Sequence, residues 1–283
     1  LNTYPDSPRV PPGRLLLADA YRHAGLLGEA QALYIRLADE GRPPQVAGAA
    51  AGKLGRIALR QGQPERAIDL FQKRLRLAPN LDGADVVYLD LARAYAAAGR
   101  AEAARDTLND MLTFFPDSAR LPEADIELSR AHEALGQRDT ALRLAEEAAR
   151  AYPDDPAVLR HAGELFGLEG EPLKAASMLL AADQAGANAP ELLLTAGRHL
   201  QTAGYRNDAL TTYDRLRMKY PRSAAATASE IASGRMLYED GRVEEAVARL
   251  EDLAKLLDNP EQRSAALRAL TDIYGDLGLT RRV

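Results

Sequence analysis

The chain has 283 residues, of which 46% are hydrophobic and 5% aromatic, a formal net charge of −5, and no cysteine. The missing cysteine excludes disulfides and thiolate metal sites, and the acidic balance disfavours nucleic acid as a partner. No apolar run is long enough to cross a bilayer, so no transmembrane segment is expected.

Taken in chain order, residues 1–10 carry two prolines and no helical periodicity, and they read as a loose leader. Beyond them a period takes over. Gly25, Gly62, Gly99, Gly136, Gly170, Gly204, Gly241 and Gly278 are separated by 37, 37, 37, 34, 34, 37 and 37 residues. A fixed spacing in this range marks stacked repeats, each one supersecondary unit that cannot bury its apolar face alone. The period divides the chain near 11–47, 48–84, 85–121, 122–155, 156–189, 190–226, 227–263 and a partial 264–283. Each full repeat is predicted as two helices; in the third they run Val86–Ala98 and Ala101–Phe115, with Leu91, Tyr95, Leu108, Met111 and Leu112 at helical spacing. Nothing alternates with period two, so no strand is predicted. The last repeat has a first helix and no second. Leu267, Leu270, Ile273, Tyr274 and Leu277 give it more apolar surface than a cap needs, so the natural chain is expected to continue.

Other residues keep step with the glycines. Seven positions before them stand Ala18, Gly55, Ala92, Ser129, Gly163, Gly197, Gly234 and Thr271, all small or short. Five positions after them stands alanine in every complete repeat: Ala30, Ala67, Ala104, Ala141, Ala175, Ala209 and Ala246. Nine after lie mostly large residues, among them Tyr34, Phe71, Leu108, Leu179, Tyr213 and Leu250. Prolines close four repeats at Pro79, Pro116, Pro153 and Pro221. The glycine suits a left-handed helix end, the proline expels the preceding residue from helix, and the small residues admit close helix backbones.

This pattern resembles the tetratricopeptide repeat: small residue, aromatic, turn glycine, alanine, aromatic, closing proline. The resemblance covers roughly residues 11–283 and departs in the absence of tryptophan and in the 37-residue period. It implies an all-α, right-handed superhelical solenoid of about 7.5 helix–turn–helix repeats, with a concave groove that holds a protein or peptide partner. The excess of 31 Arg over 5 Lys, with abundant Ala, points to a GC-rich bacterial source.

No catalytic constellation emerges. His23, His132, His161 and His199 do not pair at metal-ligand spacing, and no nucleophile elbow or Walker loop is present. A non-enzymatic chain without cofactor or metal is expected. One register stands out. Six residues before the glycines come Asp19, Arg56, Arg93, Arg130, Glu164, Arg198, Arg235 and Asp272. By the family resemblance this register faces the groove, and Arg56, Arg93, Arg130, Arg198 and Arg235 become a guanidinium ladder suited to carboxylates. Leu89, Ile126, Leu194 and Ile231, four positions earlier, form an apolar stripe beside it. Two readings stay open: a ligand-binding ladder, or a salt-bridged face in which Asp90, Glu127 and Glu239 hold Arg93, Arg130 and Arg235 on their own helices. Arg56 and Arg198 are the least compensated by their own helices.

Three functions are compatible with these features. The first is a scaffold binding an extended, acidic partner segment. The second is a structural subunit of a bacterial envelope assembly (secretion, pilus or outer-membrane machinery) reaching a membrane complex through its partners. The third is the scaffold region of a longer enzyme or regulator. The compartment, periplasmic or cytoplasmic, stays open.

Overall fold

The computed structural model describes residues 7–79 and 82–278. Residues 1–6 of the expected leader and 279–283 of the expected partial repeat lie outside the described residues; Val10 opens the first helix. The described residues are all-α, with fifteen helices and no strand among them. They belong to two compact units, Leu1–Leu144 and Ala145–Val283. Each unit is a succession of helix–turn–helix repeats.

The first unit holds α1 (Val10–His23), α2 (Leu27–Glu40), α3 (Pro44–Arg60), α4 (Pro64–Leu77), α5 (Ala84–Ala97), α6 (Ala101–Phe114) and α7 (Leu121–Ala134), and it ends inside α8 (Arg138–Ala151). Helices pack on their chain neighbours, and the first helices also pack on one another, α1 on α3, α3 on α5 and α5 on α7. The second unit holds α9 (Pro156–Leu168), α10 (Pro172–Gln184), α11 (Pro190–Thr202), α12 (Arg206–Lys219), α13 (Ala224–Glu239), α14 (Val243–Leu256) and α15 (Pro260–Asp276). Its first helices follow the same rule, α11 on α13 and α13 on α15. The third-repeat helices match the sequence expectation to within two residues at each end.

The glycine period is a backbone requirement. All eight period glycines have φ between +69° and +83°, a region where a Cβ is penalised. They end the first helix of each repeat and let the chain reverse. Asp155 starts α9 by accepting from the backbone N–H groups of Ala157 and Val158, which satisfies two of the orphan donors of a helix start. The additional residues of the longer periods are shared between loops, such as 115–120, and longer helices, such as the 16-residue α13.

The core is a size match repeated along the chain. A Cβ built on Gly55 would lie 2.6–2.9 Å from the Phe71 ring, on Gly163 2.8 Å from Leu179 Cγ, and on Gly234 2.7 Å from Leu250 Cγ. Phe71, Leu179 and Leu250 are fully buried. The small position of the first helix is therefore the seat of the large residue sixteen positions on in the second. The period alanines from Ala30 to Ala246 are buried at 1% exposure or less, where a larger side chain would overpack the helix contact. Burying each such Leu or Phe contributes about 1.5–3 kcal/mol. In the second unit, Asp183 is wholly buried and receives Arg215 at 2.5 Å and Lys219 at 2.8 Å. Glu230 is held by Arg249 at 2.8 Å and by Arg217 at 3.2 Å.

Candidate functional site

The first helices of unit 1 present one charged face. Its order follows from the repeat: the residue six before one glycine meets the residue nine before the next. Asp19 of α1 pairs with Lys53 of α3 at 2.9 Å. Arg56 of α3 donates to Asp90 of α5 at 2.5 Å. Arg93 of α5 reaches Glu127 of α7 at 2.9 Å and Glu123 at 3.1 Å. Glu127 also accepts Arg130 at 3.5 Å, the within-helix pair that spacing predicts. Asp90 and Glu127 thus serve the Arg of the preceding repeat, and Arg56, uncompensated on its own helix, is compensated from the next one.

Unit 2 continues the register differently. Arg235 of α13 pairs with Asp272 of α15 at 3.6 Å, not with Glu239, which binds Arg206. Among the described residues Arg198 of α11 has no carboxylate partner, and it is exposed. The position that would serve it in the next repeat is Ala232. The expected apolar stripe has a different environment from the ladder. Leu89, Ile126 and Leu194 are buried at 1%, 8% and 9% exposure. Leu89 belongs to the core with Leu108 and Met111, and half-buried Ile231 packs on the core around Leu250. Leu89 shares its cluster with Ala124 and Leu128 of α7, and Ile231 packs on a cluster that includes Leu270 and Ile273 of α15.

Around the ladder of unit 1 lies an open cavity of about 460 Å³, lined by Arg22, Lys53, Arg56, Arg60 and Arg93, with Asp90 as the only carboxylate among its described lining residues. Neither Arg22 nor Arg60 has a carboxylate in an ion pair among the described residues, though Arg22 also hydrogen-bonds the Tyr34 hydroxyl of α2. Arg22 contacts His23, and Arg60 donates to the backbone carbonyl of Arg56 at 3.4 Å. Asp19, beside the cavity, accepts Tyr34 Oη at 2.5 Å. Burial alone would raise the Asp19 pKa, but the Tyr34 and Lys53 hydrogen bonds outweigh it and hold the carboxyl below its usual range. The same balance, with Arg120 and Arg93 as donors, holds Glu123 low. The face can offer a fixed set of guanidinium and ammonium donors to a carboxylate-bearing segment. Arg22 and Arg60 were not legible as site residues because they stand outside the repeat register. The signal available was the charge nine before three successive glycines, Lys53, Asp90 and Glu127.

The histidines do not build a site of their own. His199 places Nε2 2.7 Å from where a Gly167 Cβ would stand, and burial lowers its pKa. His132 Nδ1 lies 2.6 Å from Gln137 Oε1. Among the described residues no three metal-ligating side chains come together, and no helix is long and apolar enough to cross a membrane.

Models of the tetratricopeptide repeat match residues 15–82, 58–121 and 122–165, together more than half of the chain. No curated protein matches the sequence. The C-terminal part of a TPR repeat-containing protein from Cytophaga hutchinsonii superposes with a TM-score of 0.67 at 14% identity, covering 89% of this chain and 98% of that one. Pseudomonas aeruginosa pilF gives 0.56 at 19% identity, covering 78% and 96%. The MamA protein gives 0.51 at 18% identity, covering 62% and 93%. At these identities the likeness is one of fold.

Proposed function

Since this chain belongs to the tetratricopeptide-repeat family, a family of protein–protein interaction scaffolds, we propose that it acts without catalysis by seating an extended acidic segment of a partner protein on the first-helix face of unit 1. The observation that carries the reading is the cavity in which Arg22, Lys53, Arg56, Arg60 and Arg93 converge around one carboxylate. Lys53, Arg56 and Arg93 already carry carboxylate partners in Asp19, Asp90, Glu123 and Glu127, so what the face offers a ligand beyond its own pairs is Arg22 and Arg60. Arg60, held by the Arg56 carbonyl, and Arg22, held by His23 and the Tyr34 hydroxyl, are the donors a ligand recruits most readily, while Asp90 competes with the ligand for Arg56. Arg198 of unit 2 has no carboxylate partner among the described residues, but its register neighbour in the next repeat is the uncharged Ala232.

The test is calorimetric titration with an acetylated decapeptide of alternating Glu and Leu, set against its Lys counterpart. Each charge-assisted contact is worth about 1.5–3 kcal/mol, so Arg22→Ala with Arg60→Ala should weaken the Glu peptide at least about tenfold. Asp90→Asn should strengthen it by releasing Arg56. Binding should weaken with salt because the contacts are half-exposed. Equal binding of the Glu peptide by wild type and double variant would remove the reading.

A further inference from the structure

A second cavity of unit 1, about 550 Å³, has the opposite chemistry. It is walled by Leu75 at the end of α4, by Asp82 in the turn before α5, by Asp85 and Tyr88 in the first turns of α5, by Phe114 at the end of α6 and by Phe115 just after it. Tyr88 stands between the two phenylalanines, edge-on to Phe114 at 6.1 Å and tilted against Phe115 at 5.7 Å between ring centroids. Phe114 is 60% exposed. Among the described residues no basic side chain lines the space.

Repeat packing does not call for this cluster. The position of Tyr88 is held by Asp125, Leu159, Leu193 and Glu230 in other repeats, and that of Phe114 by Leu77, Ala151 and Lys219. A single repeat carries the aromatic set, and it leaves a large ring in water at an apolar cost. Aromatic faces attract cations through the ring quadrupole, and here two carboxylates share the same opening. Asp85 accepts one hydrogen bond, from Ser118 Oγ at 2.5 Å, which leaves its remaining lone pairs for a donor. Burial, and then the charge of Asp110, push the Tyr88 hydroxyl above its usual value.

We propose that this cavity docks a cationic side chain of a partner polypeptide, an arginine or lysine with an apolar neighbour, the cation set between the Tyr88 and Phe114 rings and the Asp82 and Asp85 carboxylates, and the neighbour against Leu75. The site is independent of the basic cavity on α1, α3 and α5, and the two would grip segments of opposite charge.

Ring-proton NMR decides it, with acetyl-Leu-Arg-Leu-amide as the probe and acetyl-Leu-Glu-Leu-amide as its counterpart. The Arg peptide should shift the Tyr88, Phe114 and Phe115 signals in a saturable way, and the Glu peptide should bind at least fivefold more weakly. Asp82→Asn with Asp85→Asn, and separately Phe114→Ala, should each cost the Arg peptide fivefold or more. Asp82 and Phe114 are exposed and Asp85 is half-buried against Ser118, so unchanged circular dichroism is required of each variant to confirm that it folds. Equal response to the two peptides, no saturable shift, or unchanged binding by either variant overturns the proposal. Concentration-dependent dimerisation that Phe114→Ala abolishes would also overturn it, by making a second copy the occupant.

Discussion

Replacing Gly197 by alanine tests the size match on which the helical pairs rest. Alanine is the better helix former by up to about 1 kcal/mol, so propensity alone predicts stabilisation. Packing predicts the reverse. The new Cβ would stand 2.7 Å from Tyr213 Cδ1, 2.8 Å from Cζ and nearer still to Cε1. Tyr213 is fully buried, so its ring cannot swing clear. Overpacking of this kind costs about 1–3 kcal/mol, occasionally more, and the net expectation is a loss of about 1–2 kcal/mol. Gly52 is the internal control. It is also helical, but its Cβ would meet Arg74 Cγ at 3.6 Å and Cδ at 3.7 Å, ordinary contact distances. Gly52→Ala should therefore stabilise by about 0.5–1 kcal/mol. Urea unfolding followed by far-ultraviolet circular dichroism should move the two midpoints in opposite directions. A Gly197→Ala midpoint at or above wild type, or equal losses for both variants, would refute the argument.

Three further outcomes are expected. Ala209→Leu should lower the unfolding midpoint by an amount equivalent to about 1–3 kcal/mol, whereas Ala104→Leu should cost less, because Ala104 borders a cavity of about 320 Å³ that can take in the added methyl groups. Arg249→Met should cost about 3 kcal/mol, since it leaves Glu230 buried with Arg217 as its remaining ion-pair partner; the same melts decide it. The Tyr34 and Tyr213 hydroxyls are pushed up to about 12, Tyr34 by burial and then by its bond to Asp19, Tyr213 by burial. A pKa raised in the folded state gives stability that is whole below the ordinary value of 10 and lost as pH rises toward 12. The urea midpoint should fall across that window, and less steeply in Tyr213→Phe.

The repeat was legible because it is a backbone constraint. A residue that must adopt positive φ leaves its mark at one position per turn, as Gly25, Gly62 and Gly99 do. The buried alanines were legible for the same kind of reason, since Ala67 and Ala209 admit no larger side chain. The pairing of the ladder was not. Whether Arg56 faces Asp90 depends on how one first helix lies on the next, a relation between residues 34 apart that the pattern within a single helix does not contain. The apolar stripe misled for a related reason: Leu89 shares the turn of the helix with Arg93, but it is buried in a cluster with Ala124 and Leu128 of the next first helix. The Tyr88–Phe114 cavity escaped notice because a feature present in one repeat leaves no trace in a period.

The most direct test of the acidic-segment account is to locate where such a segment lies. Amide and arginine side-chain NMR of the whole chain should be recorded with increasing amounts of the Glu–Leu decapeptide. The account predicts saturable shifts of the Arg22, Arg56, Arg60 and Arg93 Nε–H signals and of the exposed turns of α1, α3 and α5. Shifts confined to α2, α4 and α6, or centred on Arg198, would contradict it.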